Sequence, residues 1–420
     1  MLSKYLFLAA MIWLPVRLAA QTQSANLTEP CDIPPFALQL KDQSLDSGST
    51  SWGILFQIGS PPAQRVSLVP STVTNSTLVN QDLKDGLCLL SNTPFKGQCE
   101  SIRGGFYNQS ESTTWRPEPD LKNSNISREE LTWDHFNKEA DLPNGLRIEG
   151  IRNIGYDDIR IRGSKEFTLQ GAGIALNQRG NQSNAGMLGL GLDSVFLDDV
   201  VAQNRSASRS WGLDAGSRSS TQSRGGELVI GGWNEGRVDG DWTEFPVGSM
   251  DGGVRWCPLS VQIKELILIS PDQVTEKNLK EFSNTITACI EPYDNHFRWQ
   301  AGMVEKWKTL TGFDEGLVDP YTTGDQGLTF TEPGLPYEKS KVEGWDLRIT
   351  LEGGYGTTIK SDEMTRDLQG WNKNGNMERV PGISTVAILN TPIDEDETPT
   401  LGRAFLSRVS AAIKLLPAGT

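Results

Sequence analysis

Short apolar runs that end near Gly, Pro or Asn recur along this chain, and they restrict its fold more than any other feature of the sequence. Such runs have the length and the flanking residues of β-strands. They lie at residues 53–58, 66–69, 159–161, 227–230, 261–269, 347–351 and 384–389. Helical spacing is rare and is clearest at residues 195–203 and 303–311. With 43 Gly and 22 Pro residues to supply turns, the chain is predicted to be mostly β.

The length of the chain, 420 residues, predicts two lobes rather than one core. A glycine cluster marks the expected boundary, so the first lobe is predicted at residues 51–247 and the second at residues 248–420. Residues 21–50 are interpreted as a polar lead-in. Residues 205–225, which are rich in Arg, Ser and Gly, are predicted to form an exposed insertion.

Residues 1–20 have the features of a signal peptide. Lys4 is followed by an apolar run, residues 5–16, that is too short to span a bilayer, and the small residues Ala19 and Ala20 precede the expected cleavage point. An uncleaved anchor is the alternative interpretation. No other stretch of the sequence approaches 18 uninterrupted apolar residues. The mature chain is therefore predicted to have no transmembrane segment and to be secreted, into the medium, a cell wall or a vacuole.

Six Asn-x-Ser/Thr acceptors for N-glycosylation support the prediction of export. All of them lie in the first half of the chain, at Asn26, Asn75, Asn108, Asn125, Asn181 and Asn204. This distribution predicts a heavily glycosylated first half and a bare second half.

The five cysteines suit a small set of disulfide bonds, which are the expected state of cysteines in an exported protein. Cys88 and Cys99 are close enough in sequence to close a local loop. Cys257 and Cys289 lie in apolar segments and could join neighbouring strands. Cys31 is left over, either as a buried thiol or as the partner of another chain.

Charge and motif content exclude several classes of function. A net charge of −14 repels phosphate backbones, which argues against a nucleic acid partner. The sequence has no His-Glu-x-x-His motif, no phosphate-binding loop and no dinucleotide fingerprint, so we expect neither a metal nor another cofactor. The chain is expected to be a monomer.

Five segments follow one another in an order that carries more information than any of them alone. They are GILFQIGSPPAQ at 53–64, FYNQSESTT at 106–114, GMLGLG at 186–191, GELVIGG at 226–232 and PTLGRAFL at 399–406. In this order the chain resembles the pepsin-like aspartic proteases, and the likeness extends over residues 51–416. The resemblance implies an all-β, bilobal fold with few short helices and a deep cleft between the lobes. It also implies one Asp-Thr/Ser-Gly turn from each lobe at the cleft floor.

The first of these turns has lost its aspartate. The family's Asp lies seven residues beyond the Gln that corresponds to Gln64, and this position is occupied by Ser71. Thr72 is retained, and Val73 stands where the family has Gly. Asn75, two residues further on, would place a glycan near the mouth of the cleft.

The second turn is best matched by TACIEPY at residues 287–293. Glu291, Pro292 and Tyr293 then stand in place of Asp, Thr and Gly. One carboxylate remains, but it is a methylene longer and lies in a turn without its glycine. Asp294 is an alternative second acid, but no Thr-Gly follows it.

Two further departures from the family pattern agree with a loss of catalysis. The family covers its cleft with a flap that carries a Tyr-Gly pair, whereas residues 142–149 contain no aromatic side chain. The Gly-Tyr-Asp of the following strand is matched at residues 155–157. Active relatives commonly have a basic pro-segment, whereas Lys41 is the only basic residue between residues 21 and 50.

A serine hydrolase built on Ser71 is disfavoured. The only available histidines are His135 and His296, which are expected in surface or loop positions, and there is no Gly-x-Ser-x-Gly elbow.

These departures predict a secreted pseudoprotease that binds a peptide or protein through its cleft or surface loops without cutting it. Active members of the family use two carboxylates that share one proton to activate water, and both aspartates are replaced here. One alternative is a weak or atypical acid endopeptidase that depends on Glu291. Another is a structural glycoprotein of the cell surface.

Overall fold

The computed structural model of the chain describes a set of ranges in which strands predominate, so the predicted all-β class is confirmed. The described residues are 4–10, 33–81, 96–117, 151–177, 185–217, 219, 222–238, 240–247, 257–280, 285–317, 328, 334–372, 376–394 and 397–415.

The strands of the described ranges are numbered in chain order. They are β1 Lys4–Ala10, β2 Phe36–Ser44, β3 Thr50–Ile58, β4 Gln64–Ser71, β5 Leu78–Asn80, β6 Arg116–Pro117, β7 Ile151–Arg162, β8 Glu166–Asn177, β9 Gly186–Gly189, β10 Trp211–Asp214, β11 Gly226–Ile230, β12 Thr243–Pro246, β13 Ser260–Ile269, β14 Glu276–Asn278, β15 Ile286–Ile290, β16 Leu335–Glu338, β17 Asp346–Leu351, β18 Gly356–Ile359, β19 Thr365–Trp371, β20 Met377–Val386, β21 Thr400–Leu401 and β22 Val409–Leu415.

The helices of the same ranges are short. They are α1 Lys96–Arg103, α2 Val195–Ala202, α3 Ala301–Thr311, α4 Lys339–Val342, α5 Ser361–Met364 and α6 Arg403–Leu406. The two helices predicted from spacing are present as α2 and α3. Ser194 caps α2 by accepting a hydrogen bond from the Leu197 amide at 3.2 Å, and α3 ends at Gly312, whose φ of 66° is the left-handed conformation that glycine adopts most easily.

The largest sheet combines strands from the first and last parts of the described chain. Its order is β12-β1-β22-β10-β11-β2-β3-β4-β9-β5-β8-β7-β6, and β3 also pairs with β7. Most neighbours are antiparallel, but β4 runs parallel to β9 and β5 parallel to β8. Because β22 lies between β1 and β10, a late segment of the chain completes a sheet that early segments begin.

Two smaller sheets are built from the second half of the chain. One has the order β18-β17-β13-β15-β21, with β14 paired to β13, and the other has the order β16-β20-β19. In the first of them β15 runs parallel to β21. The parallel pairs β4–β9 and β15–β21 therefore repeat one local arrangement in the two halves of the chain, and each pair ends at one of the predicted turns.

Two stretches that composition alone suggested to be peripheral contribute to the largest sheet. The predicted lead-in contains β2, on which Phe36, Leu38 and Leu40 alternate with Ala37 and Gln39 and are at most 1% exposed. The prediction of an exposed insertion at residues 205–225 is wrong, because β10 lies inside the sheet and Trp211 is 1% exposed. The polar composition of that stretch belongs to the turns on either side of a four-residue strand.

The predicted signal peptide overlaps β1. This strand pairs along its length with β22 and, through residues 5–8, with β12. A run of apolar residues of this length suits a signal peptide and a strand equally well. Cleavage after Ala20 stays a prediction; in a cleaved chain the facing edges of β12 and β22 would lose the strand that joins them here.

One predicted disulfide bond is confirmed. Cys257 is bonded to Cys289, with their Cα atoms 5.8 Å apart. Cys99 is also disulfide-bonded, but its predicted partner Cys88 lies outside the described residues, as does Cys31.

Two further expectations concern the chain as a whole. In the part of the chain that the structure describes, no helix combines the length and the apolar character needed to cross a membrane. The expected lobe boundary, between residues 247 and 248, lies at the edge of residues 248–256, which are outside the described ranges, and stays a prediction.

Candidate functional site

The first predicted turn begins where β4 ends. Ser71 is the last residue of β4 and lies opposite Gly189 of the parallel strand β9. Beyond it the chain turns sharply and is held by backbone hydrogen bonds from the segment after β9. The Leu190 amide donates to the Ser71 carbonyl at 2.8 Å, and the Gly191 amide donates to the Thr74 carbonyl at 2.9 Å.

Close packing against this turn explains the glycines of the GMLGLG segment. A Cβ atom on Gly189 would lie 2.6 Å from the carbonyl oxygen of Ser76, and one on Gly191 would lie 2.2 Å from Oδ1 of Asn75. Both distances are too short for non-bonded atoms, so these positions require glycine for steric reasons.

The second predicted turn is built in the same way. Glu291 follows β15, and its amide donates to the Leu401 carbonyl of the parallel strand β21 at 3.1 Å. A Cβ atom on Gly402 would lie 2.3 Å from the carbonyl oxygen of His296. The glycine of the PTLGRAFL segment therefore has the same role beside the second turn as Gly189 and Gly191 have beside the first.

Hydrogen bonds join the two turns directly through the Glu291 carboxylate. Its Oε2 atom accepts from the Thr72 amide at 3.0 Å, the Thr72 hydroxyl at 2.8 Å and the Val73 amide at 3.2 Å. Its Oε1 atom accepts from the Tyr293 amide at 2.9 Å. Both oxygens of the carboxylate are therefore occupied by protein donors, three of them on the opposite turn.

Burial raises the pKa of Glu291 to about 7, because removal from water disfavours the charged form. The hydrogen bonds from Tyr293 and Thr72 oppose this shift by stabilising the carboxylate. The Thr72 hydroxyl also lies 3.1 Å from the Ile290 carbonyl oxygen. It can therefore donate to an ionised Glu291, or donate to Ile290 while accepting from a protonated Glu291, so the site accommodates both states.

Ser71 contributes no ionisable group to this arrangement. Its hydroxyl is fully buried beside the Glu291 carboxylate but makes no well-formed hydrogen bond in the described structure. In the described ranges no imidazole contacts it, so the histidine base of a serine hydrolase is missing beside Ser71.

Apolar side chains occupy the two positions at which the resemblance predicts glycine. Val73 is 1% exposed and Tyr293 is 8% exposed, and both belong to one cluster with Tyr156, Met187 and Cys289. The Tyr293 hydroxyl donates to the Ala185 carbonyl at 2.7 Å, which fixes the ring across the junction of the two turns. Pro292 is buried beside it.

Asp294, the alternative second acid, and His296 are both buried. Asp294 is 3% exposed and accepts hydrogen bonds from the Arg298 guanidinium and, at 3.1 Å, from the His296 amide. His296 lies at a bend outside the helices and strands, as the predicted loop position requires, but it is 1% exposed and so is not on the surface. His135 lies outside the described residues.

The predicted glycosylation acceptors differ in their exposure to solvent. Asn75 is 4% exposed, and its Oδ1 atom accepts from the Asp193 amide at 3.1 Å. Asn204 is exposed and Asn108 is partly exposed. Asn26, Asn125 and Asn181 lie outside the described residues. A glycan cannot fit on Asn75 in this folded state, and modification of the other acceptors stays a prediction.

The predicted flap, residues 142–149, lies outside the described residues, but the strand that follows it is present as part of β7. On that strand Asp157 is fully buried and accepts hydrogen bonds from the hydroxyls of Tyr107 and Thr114. Sequence reasoning missed this contact, although both donors lie in the FYNQSESTT segment. Within the described ranges no three His, Cys, Asp or Glu side chains lie close enough together to hold a metal ion.

Comparison with known proteins supports the fold and goes no further. No family model and no curated protein matches the chain. Among solved structures, the crystal structure of the aspartic proteinase from Irpex lacteus is similar, with a TM-score of 0.51 and 13% identity over 92% of this chain and 99% of that chain. A likeness at this identity concerns the fold alone. The fold is the bilobal, all-β fold of pepsin-like aspartic proteinases.

Proposed function

We propose that this protein is a secreted pepsin-fold pseudoprotease, which binds a peptide or protein ligand and does not cleave it. The observation that carries the proposal is the position of the Glu291 carboxylate, whose two oxygens accept four hydrogen bonds from Thr72, Val73 and Tyr293. A carboxylate in this position stabilises the junction between two turns. The Glu291 side chain is also fully buried, so its carboxylate is not open to an attacking water from solvent.

The composition of the two turns supports the same conclusion. Water activation in this fold requires two carboxylates that share a proton, and the position opposite Glu291 is occupied by the hydroxyl of Ser71. Val73 and Tyr293 fill the space that two glycines would leave beside the reacting atoms. Restoring catalysis would therefore require changes at several positions together.

The competing proposal is an atypical acid endopeptidase that depends on Glu291. Its support is the raised pKa of that carboxyl group, about 7, because a protonated acid of this kind can act as a general acid in weakly acidic solution. Against it stands the burial of the group, which is fully shielded from solvent.

Ligand binding without cleavage is tested with a mixture of extended peptides at about pH 4, where many pepsin-fold enzymes work. The protein is incubated with the mixture and separated from it by gel filtration. Mass spectrometry then identifies peptides that stay bound and any new cleavage products. The pseudoprotease proposal predicts retained, intact peptides and no products. New products that disappear in Glu291→Ala but persist in the surface variant Glu305→Ala would instead support the endopeptidase.

A further inference from the structure

A small cavity of about 30 Å³ is lined by residues that adjoin the largest sheet and the sheet of β16, β20 and β19. Segments distant in sequence form its wall, including Gly216, Asn295, Glu363, Arg366, Ala387 and Arg403. Gly216 has a φ of 77°, and a Cβ atom there would lie 2.5 Å from the Arg224 carbonyl oxygen, so the backbone approaches closely at this wall.

Arg366 is the unusual group in this wall. In the described structure its guanidinium donates no hydrogen bond and forms no ion pair, although part of its surface borders the cavity. Surrounding protein lowers its pKa by desolvation, and no neighbouring carboxylate opposes that shift. Arg366 is only partly buried, so its guanidinium is accessible to an anion that enters from solvent.

The other charged groups around the cavity leave this charge uncompensated. Glu363 accepts from the Ser217 hydroxyl at 2.7 Å and lies 3.9 Å from the Arg408 guanidinium, and burial raises its pKa. Its second oxygen, Oε2, has no hydrogen-bond partner. Asp362 accepts from the Ser219 hydroxyl at 2.7 Å. Neither acid is paired with Arg366.

A second guanidinium is held rigidly at the same wall. Arg403 donates to Oδ1 of Asn295 at 2.8 Å, and its Cζ atom lies 3.1 Å from the ring centroid of Trp52. This stacking and the hydrogen bond fix the plane of the guanidinium beside the cavity. Arg366 and Arg403 therefore bring two positive charges to the wall of the cavity, beside Glu363.

We propose that this cavity binds a carboxylate group, with Arg366 as its principal partner. Planar guanidinium groups match carboxylates by two parallel hydrogen bonds. A cavity needs roughly 10–15 Å³ in this measure to hold one water, so about 30 Å³ accommodates a group of two or three heavy atoms, the size of a carboxylate. The Oε2 atom of Glu363, when protonated, donates to the bound anion.

Formate is the probe that tests the site, because it is a carboxylate with no further substituent. Thermal unfolding is followed with sodium formate or sodium chloride at equal ionic strength up to about 100 mM, since a ligand of the folded state raises Tm. Wild type and Arg379→Met, an exposed variant on β20, should be stabilised by formate. Arg366→Met should show no formate response.

The NMR linewidth of carbon-13 formate in the presence of wild-type protein gives a second measurement, which does not require any variant to fold. The protein should broaden the formate signal, and addition of unlabelled acetate should reverse this broadening. The proposal is overturned if wild type shows neither a Tm response nor broadening, or if Arg366→Met responds to formate as strongly as wild type does.

The carboxylate can come from a small free acid or from a peptide, and competition separates the two sources. Short peptides with a free C-terminus, with an Asp side chain and an amidated end, or with neither are added to the labelled formate sample. Displacement by a carboxylate-bearing peptide assigns a peptide source, and displacement by acetate alone assigns a small acid. Displacement by the peptide without a carboxylate would contradict the recognition chemistry.

Discussion

The amide and the hydroxyl of Thr72 both donate to the same oxygen of Glu291, at 3.0 and 2.8 Å. These residues are 219 positions apart in the chain, and their contact joins the turn after β4 to the turn after β15. The Glu291 carboxylate thus serves as a bridge between two segments. Removal of the Glu291 carboxylate should therefore lower the stability of the folded protein.

Glu291→Ala should destabilise the protein by about 3 kcal/mol or more, because the buried amides of Thr72, Val73 and Tyr293 lose their acceptor. Urea unfolding at about pH 5 measures the change in the free energy of unfolding. Glu305→Ala is the matched control, since the Glu305 side chain is 62% exposed on α3. A loss below about 1 kcal/mol would show that the bridge contributes little.

Stability should fall as the pH rises from about 4.5 to about 7. The pKa of Glu291 is about 7 in the folded protein against an ordinary value of 4.5, so the folded state binds a proton more tightly than the unfolded state does. This contribution is fully present below pH 4.5 and is lost by pH 7, and it amounts to about 3 kcal/mol.

Glu291→Gln removes the titrating group and should flatten this part of the stability profile. Glu363→Gln serves for comparison, because burial also raises the pKa of Glu363 and its removal should leave the Glu291 contribution in place. The two profiles are obtained from urea unfolding at several pH values. An unchanged slope in Glu291→Gln would refute the assignment of the pH dependence to this residue.

Gly189→Ala should destabilise the first turn by roughly 1–3 kcal/mol, because its Cβ atom would lie 2.6 Å from backbone atoms of Asn75 and Ser76. Gly356→Ala should be tolerated, since the nearest atoms there are 3.8 Å away. Thermal unfolding of the two variants separates these outcomes. Equal Tm values would mean that the turn can move away without cost.

Asn204 should carry a glycan when the protein is expressed in a eukaryotic host, whereas Asn75 should not. Asn204 is exposed, and Asn75 is 4% exposed with its side-chain oxygen bonded to the Asp193 amide. Peptide mass spectrometry after enzymatic release of N-glycans in ¹⁸O water reports the occupancy of each site. Full occupancy of Asn75 would require a different conformation of the first turn.

The sequence predicts local elements of this fold better than it predicts their partners. Apolar runs with turn residues at their ends indicate β3, β4, β13 and β17, and helical spacing indicates α2 and α3. The strand β10 is missed, because four residues between polar turns give no periodic signal. Its place in the largest sheet depends on pairing with β11 and β22, which no local pattern encodes.

At the candidate site, too, the sequence predicts which residues matter but not the contacts they make. The spacing of family motifs brings attention to Ser71, Val73, Glu291 and Tyr293, and the structure places all four at one junction. The four hydrogen bonds that occupy the Glu291 carboxylate could not be predicted, because they depend on how one extra methylene reaches across to Thr72. Long-range geometry, not residue type, decides whether this acid can hold a water.

Turnover of a fluorogenic acid-protease peptide between about pH 3 and 7, compared in wild type and Glu291→Ala, tests the central claim most directly. Samples are checked for folding by circular dichroism at each pH, so that loss of structure is not mistaken for loss of activity. A bridging carboxylate predicts no turnover above background in either protein. Turnover in wild type that Glu291→Ala abolishes would contradict this account and would make Glu291 a catalytic acid.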